Sequence, residues 1–225
     1  QAAATLASAE RTGTRNWTNN GIRVNANMAS IRGDWAAARE STNRGLGFAS
    51  RDAALLASRA ILEYQVGDFP QGEAHLQSLI EVVRGTTPGS TPLIGYFAPA
   101  IVIPMAARIK GSDDDLEFAQ ATARALLSFR YAPPIFVQLA TMGLALIGVL
   151  RRDTESANEQ YTIVEPWRGT MVSPQIACGL DLSVDHVLGL LAHTMGNTDK
   201  AVGHFEDALA FCRRGGYRPE LAWTC

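Results

Sequence analysis

Apolar residues recur along this chain with the spacing of amphipathic helices, in pairs of segments joined by a short polar break. Five such pairs can be recognised, and their breaks are centred on Gly33, Gly67, Gly111, Arg152 and Gly196. The breaks are 34, 44, 41 and 44 residues apart. No segment shows the sustained alternation that a half-buried strand requires. The pattern predicts an all-α chain built from repeated helical hairpins.

The hairpins are predicted over residues 14–50, 52–84, 97–130, 134–165 and 180–215 of a single helical-repeat domain, 1–225. Pro, Gly, Ser and Thr gather in the links "GTTPGSTPLIGYFAP", "RYAPP" and "EPWRGTMVSPQIACGL", as expected of loops. After the five breaks come residues that cap helix N-termini: Asp34, Asp68, Ser112, Asp153 and Asn197. The segment "PAIVIPM" carries two prolines, which argue against a central strand and predict a kinked or Pro-initiated helix.

The fifth pair carries a recognisable packing pattern. Gly189 and Ala201 are small enough to let two helices approach closely, Phe205 fills the space to a neighbour, and Gly196 permits the turn. This spacing, together with the 34-residue period, resembles the tetratricopeptide repeat. The fold expectation is therefore an α-solenoid of about five tetratricopeptide-like helical hairpins.

The C-terminal segment "HFEDALAFCRRGGYRPELAWTC", residues 204–225, resembles a more particular group. It is similar to the helical-repeat region of bacterial multidomain signalling ATPases, which are adenylate or guanylate cyclases with an AAA-type ATPase, or LuxR-type regulators. The resemblance implies a regulatory region that receives a signal and passes it to attached effector domains. The chain itself contains no GxxxxGK[ST] phosphate loop, so we expect no enzymatic activity from it.

Charge and composition exclude some classes of partner. The net charge of −2 provides no basic field for nucleic acid, so no direct nucleic-acid partner is expected. The longest apolar run, "LATMGLALIGVL", has 12 residues, whereas a helical membrane span needs about 20; no membrane partner is expected. The chain begins without methionine and ends inside a helical pattern, which predicts a fragment of a larger protein.

The cysteines and histidines form no recognisable metal or catalytic motif. Cys178, Cys212 and Cys225 are widely spaced, which favours a reducing cytoplasm, and the first two are expected to be small buried residues. His186 and His193 are seven residues apart, so they share a helix face but do not easily reach one metal. We predict no catalytic residue, no metal ligand and no cofactor.

Tetratricopeptide hairpins line a concave groove with fixed positions of each repeat. Counting from Gly189 as the eighth residue predicts a groove that is apolar along its length with polar ends. Such a surface suits a peptide helix or a small ligand. An equally weighted interpretation is a tightly wound solenoid whose own helices fill the groove. The predicted groove residues are Arg23, Ala57, Ile61, Tyr64, Met105, Arg108, Met142, Leu146, His186 and His193.

These features predict a non-catalytic sensor or interaction domain of a bacterial signalling or transcriptional regulator. It would bind a protein, peptide or small-molecule effector in the groove and would be attached to the effector domains of a parent protein. The alternative is an assembly scaffold that forms a homodimer through its C-terminal end, where Leu221 and Trp223 would meet a partner. Full burial of Ile61, Met105, Met142 and Leu146 by the chain's own helices would contradict the prediction of an open binding groove.

Overall fold

Helices make up nearly all of the chain that can be described. The computed structural model describes the backbone of residues 15–85, 93–173 and 181–225, and the side chains of residues 20–85, 97–173 and 181–225. Within these ranges the architecture is all-helical. The α-helices there are α1 Arg15–Arg32, α2 Trp35–Phe48, α3 Ala53–Gln65, α4 Phe69–Arg84, α5 Leu93–Lys110, α6 Leu116–Leu127, α7 Pro134–Leu150, α8 Thr154–Val164, α9 Val184–Thr194, α10 Thr198–Gly215 and α11 Arg218–Thr224.

A short non-helical connection lies between α8 and α9. It begins with a 3₁₀ turn, Glu165–Trp167, and includes two strands, β1 Met171–Val172 and β2 Leu182–Ser183. The strands pair antiparallel, with Met171 opposite Ser183. Each strand has only two residues, which is too short for alternation to be visible in the sequence.

The turns inside the helix pairs fall at the breaks that the sequence predicts. Gly33, Gly67, Gly111 and Gly196 have φ angles of 72°, 84°, 70° and 77°, and Arg152 has a φ of 52°. Glycine adopts this left-handed backbone at no steric cost because it has no Cβ atom. The break prediction is therefore confirmed at all five positions.

Four of the five predicted helix starts are also confirmed. At four of these positions the side chain accepts a hydrogen bond from the backbone N–H three residues onward: Asp34, Asp68, Asp153 and Asn197. The prediction for Ser112 is wrong. Helix α6 begins at Leu116 after Asp115, whose φ of 58° places a second left-handed residue in this turn. Ser112 instead donates its hydroxyl proton to Asp114 at 2.8 Å.

Close approaches between helices depend on small residues. A Cβ atom added to Gly189 would lie 2.5 Å from the ring of Phe205, so α9 and α10 pack as the sequence pattern predicts. Helices α5 and α7 approach even more closely, because a Cβ atom on Gly143 would lie 2.0 Å from the carbonyl oxygen of Ala100. That carbonyl has no N–H partner at position 104, where Pro104 lies inside α5. The segment "PAIVIPM" is helical, as predicted.

The helices pack in sequential pairs: α1 with α2, α3 with α4, α5 with α6, α7 with α8, and α9 with α10. Helices α3, α5, α7 and α9 also contact one another in that order. The buried core runs continuously from Ala53 to Ala201 along these elements. Helix α11 contacts α10, which precedes it, and also α1 at the other end of the chain. The first and last helices of the described structure therefore touch.

Candidate functional site

Four predicted groove residues come together on one surface. Met105 and Arg108 of α5 and Leu146 of α7 line a single cavity. The guanidinium of Arg108 lies 2.9 Å from Nε2 of His186 on α9. We call the surface formed by these four residues the trough. It joins three helices that are far apart in sequence.

Helix α11 covers the trough. Pro219, Glu220 and Trp223 line the same cavity from the opposite side. The indole ring of Trp223 lies over the guanidinium of Arg108, with 5.4 Å between the guanidinium carbon and the ring centroid. The cavity that remains is about 40 Å³, which is room for a few water molecules rather than for an organic ligand.

The residues chosen as indicators of an open groove are all buried. Ile61 and Met142 have no exposed surface, Leu146 is 1% exposed and Met105 is 8% exposed. Neighbouring helices and α11 account for this burial within the described chain. In this conformation the trough is filled by the protein itself.

A buried carboxylate on α11 fixes its position. Oε1 of Glu220 accepts a hydrogen bond from the backbone N–H of Ser183 at 2.9 Å and lies 2.9 Å from Nδ1 of His186. Because Arg108 has only donors, Nε2 of His186 must accept, and the ring proton therefore resides on Nδ1. Nδ1–H then donates to Glu220, so a chain of hydrogen bonds runs from α5 through α9 to α11. Thr224 extends it, since its hydroxyl lies 3.2 Å from the same nitrogen.

The turn between α10 and α11 directs α11 towards the trough. Helix α10 ends at Gly216, whose φ of 69° reverses the chain. Tyr217 then stacks on Phe211, with 5.7 Å between ring centroids, and its ring lies against Gly215. Pro219 sits in the first turn of α11, where its lack of an N–H removes no helical hydrogen bond. The turn and the ring stack together set the direction of α11.

Asp181 contributes a second carboxyl group to the cavity. Its Oδ1 accepts a hydrogen bond from the hydroxyl of Ser173, whereas Oδ2 is buried and has no hydrogen-bond partner among the described residues. Burial raises the pKa of Asp181 from 3.8 to about 7, and the negative charge of Glu220 adds to the increase. Burial also lowers the pKa of Arg108, which the charge of Glu220 opposes.

A separate polar cluster ties α8, α9 and α10 together. Nδ1 of His204 lies 3.3 Å from Oδ1 of Asp185, and its Nε2 lies 2.8 Å from the hydroxyl of Tyr161. Oδ2 of Asp185 accepts the backbone N–H of Gly169 at 2.7 Å. The order of acid, imidazole and hydroxyl is that of a nucleophile relay. Burial raises the pKa of Tyr161, and the three side chains hold α8, α9 and α10 in contact.

The other predicted groove residues lie outside the trough. Arg23 forms an ion pair with Asp52, which caps α3. The ring of Tyr64 lies against Gly72 of its own helix pair, and its hydroxyl donates to Glu73 at 2.7 Å. His193 is exposed near the end of α9. Ala57, Ile61 and Met142 are fully buried.

Sequence reasoning missed Glu220, Asp181 and Asp185. Glutamate and aspartate are seldom buried, so nothing in the pattern marks them as interior residues. Glu220 follows a proline in the first turn of a helix, where an acid is favourable without any tertiary role. Its burial depends on β2 and α9, and such long-range packing leaves no local signal.

In the described ranges, no group of three His, Cys, Asp or Glu side chains is arranged to hold a metal ion. No helix of that part combines the length and hydropathy that a membrane span requires. Cys212 is buried, which raises its pKa to about 11, and Cys225 is exposed. Cys178 lies outside the described residues.

The chain was compared with protein-family models, with curated proteins and with solved structures. None of the three comparisons gave a match.

Proposed function

We propose that this chain is a non-catalytic sensor and interaction domain that binds a helical protein segment in its trough. In this proposal it is an α-solenoid of tetratricopeptide-like hairpins. Left-handed turns at the five repeated breaks support this interpretation. So does the packing order, in which α3, α5, α7 and α9 contact one another in succession.

The observation that carries the proposal is the occupation of the trough by α11. A helix lies across Met105, Arg108 and Leu146, and it presents an acid and an indole to partners on α5 and α9. The trough therefore has the shape and polarity to hold a helix. The residual cavity of about 40 Å³ favours a helix over a small ligand while α11 is seated.

The position of α11 suggests how binding would be transmitted. It contacts α1 at the start of the described chain and α10 at the end. A partner that changed the position of α11 would alter both contacts and so bias the packing of the first and last helix pairs. Such a bias is the property required of a regulatory domain attached to effector domains.

The wider setting follows from the resemblance of residues 204–225. We propose a cytoplasmic module of a bacterial multidomain regulator, in which other domains carry any ATPase, cyclase or transcriptional output. The buried polar groups of Asp185, His204 and Tyr161 hydrogen-bond to one another and connect α8, α9 and α10.

The dimerisation alternative receives less support. In that scheme Leu221 and Trp223 would meet a second copy of the chain. Trp223 instead packs over Arg108 of its own chain, and Leu221 is partly buried. One face of the indole is thus engaged within the same molecule, while 36% of Trp223 stays exposed.

A selection experiment tests the proposal. A library of displayed helical peptides is panned against the immobilised chain, and the binding site of each selected peptide is mapped by hydrogen–deuterium exchange. We expect selected peptides to slow exchange in residues 97–110, 139–150 and 184–194, which contain the trough. Failure to select any helical binder, or protection confined to α2, α4 and α6, would overturn the proposal.

A further inference from the structure

The contacts of α11 indicate which kind of partner fits the trough. We infer that α11 is a displaceable occupant, and that the trough recognises a helical protein segment bearing a carboxylate and, three residues later, an aromatic ring. This inference rests on the proposed function, because it names the partner chemistry of the same site.

The carboxylate preference follows from the donors that converge on Glu220. The backbone N–H of Ser183 and Nδ1–H of His186 both point to one oxygen, each at 2.9 Å. Arg108 fixes the imidazole in this tautomer by donating to its other nitrogen. Two buried donors without an acceptor would be unfavourable, so an incoming helix must supply an oxygen at this position.

The aromatic preference follows from Arg108 and the apolar walls. The guanidinium of Arg108 lies under the ring of Trp223, and Met105 and Leu146 line the same cavity. A partly buried guanidinium gains from an aromatic face that replaces part of its hydration. Residues three apart share one helix face, so Glu220 and Trp223 can reach the trough together.

Several features make α11 easy to displace. Glu220 is the one buried residue of this helix. Trp223 remains 36% exposed. The carboxyl group of Asp181 lines the same cavity as Glu220 and, when ionised, repels it.

The inference can be tested with a synthetic helix that copies α11. The probe is a peptide of residues 216–225 with Cys225 replaced by Ser and a hydrocarbon staple between positions 218 and 222. Both of these positions are exposed on α11, so the staple would face away from the trough. Binding is measured by calorimetry or fluorescence anisotropy to the full chain and to its variants.

Trp223→Ala removes a contact that keeps α11 on the trough, and it changes none of the four trough residues. We expect this variant to bind the probe at least about tenfold more tightly than the unaltered chain. The apparent affinity equals the intrinsic affinity multiplied by the fraction of molecules whose trough is open, and this fraction is small while α11 covers the trough. Glu220→Ala is a second releasing variant, with the same expectation. Tyr131→Ala is the control, since it removes an aromatic ring that is 83% exposed and lies away from the cavity.

The chemistry of recognition is tested by changing either side of the contact. A probe with Ala in place of Glu220 should lose at least about tenfold in affinity for the Trp223→Ala chain. Adding Arg108→Ala to that chain should weaken binding of the original probe similarly. Circular dichroism of every variant checks that the helical content is retained.

Three outcomes would overturn the inference: no binding to any variant, equal binding to the unaltered and released chains, or equal binding of the probe lacking the acid. These outcomes are separable from failure of the proposed function. If the peptide library yields trough binders without an acid and an aromatic residue at this spacing, the proposed function stands and the inference is wrong.

Discussion

The two carboxyl groups in the trough cavity have different surroundings. Glu220 accepts hydrogen bonds from Ser183 and His186, whereas Oδ2 of Asp181 is buried with no partner among the described residues. Burial and the nearby charge of Glu220 raise the pKa of Asp181 to about 7. Near neutral pH, therefore, Asp181 gains and loses its proton while α11 is seated.

This difference predicts a pH dependence of stability. The folded state holds the proton of Asp181 up to about pH 7, whereas the unfolded chain releases it near 3.8. The contribution of Asp181 to the free energy of unfolding is therefore fully present below about pH 4. It is lost as the pH rises through 7, and the total loss is up to about 4 kcal/mol. Asp181→Asn, which mimics the neutral acid, should remove this loss. Urea unfolding at several pH values between 4.5 and 8.5 measures this loss. If the free energy of unfolding changed equally with pH in both proteins, the loss would not come from Asp181.

Some residues of the site could be predicted from the sequence and others could not. Met105, Arg108, Leu146 and His186 follow from counting positions within a repeat, because a helix face is a local property. Glu220 cannot be predicted in this way, because its role depends on a hydrogen bond from Ser183, which precedes it by 37 residues. Tyr64 occupies a counted position but packs within its own pair against Gly72.

At the scale of elements, local chemistry specifies where helices begin and turn. The left-handed glycines and four of the five predicted caps lie where the sequence places them. The caps act on backbone N–H groups three residues away, so neighbouring residues suffice to predict them. The departure at Ser112 arises from a longer turn, which includes the left-handed residue Asp115.

Among the described glycines, Gly143 at the contact between α5 and α7 has the least room for a side chain. Gly143→Ala would place a methyl group 2.0 Å from the carbonyl oxygen of Ala100. The two helices would have to separate, and we expect a loss of about 3 kcal/mol or more in the free energy of unfolding. The control is Gly203→Ala in α10, where a Cβ atom would meet nothing within 4 Å. That change should stabilise the chain by about 0.5–1 kcal/mol.

Both variants are compared with the unaltered chain by guanidinium unfolding. A loss below about 1 kcal/mol for Gly143→Ala would show that α5 and α7 are not in backbone contact. The placement of α7 against α5 is not evident from either helix alone, although Pro104 indicates that a carbonyl in α5 lacks its usual partner.

At the scale of the whole molecule, the decisive feature is the return of α11 to α1 and α5. The repeat pattern predicts helix pairs, but it does not predict what lies over the trough. In this conformation α11 lies over it. The same contact relates the two ends of the described chain to the occupant of the trough.

The backbone N–H of Ser183 reports directly on the seating of α11, since its acceptor is Glu220. Its hydrogen exchange, measured by NMR, should be slow in the unaltered chain. Glu220→Ala should accelerate it at least about tenfold, because a hydrogen bond to a charged acceptor is lost. The neighbouring N–H of Val184, which donates to Thr170, should change little. Equal exchange of the Ser183 amide in both proteins would contradict the conclusion that α11 occupies the trough.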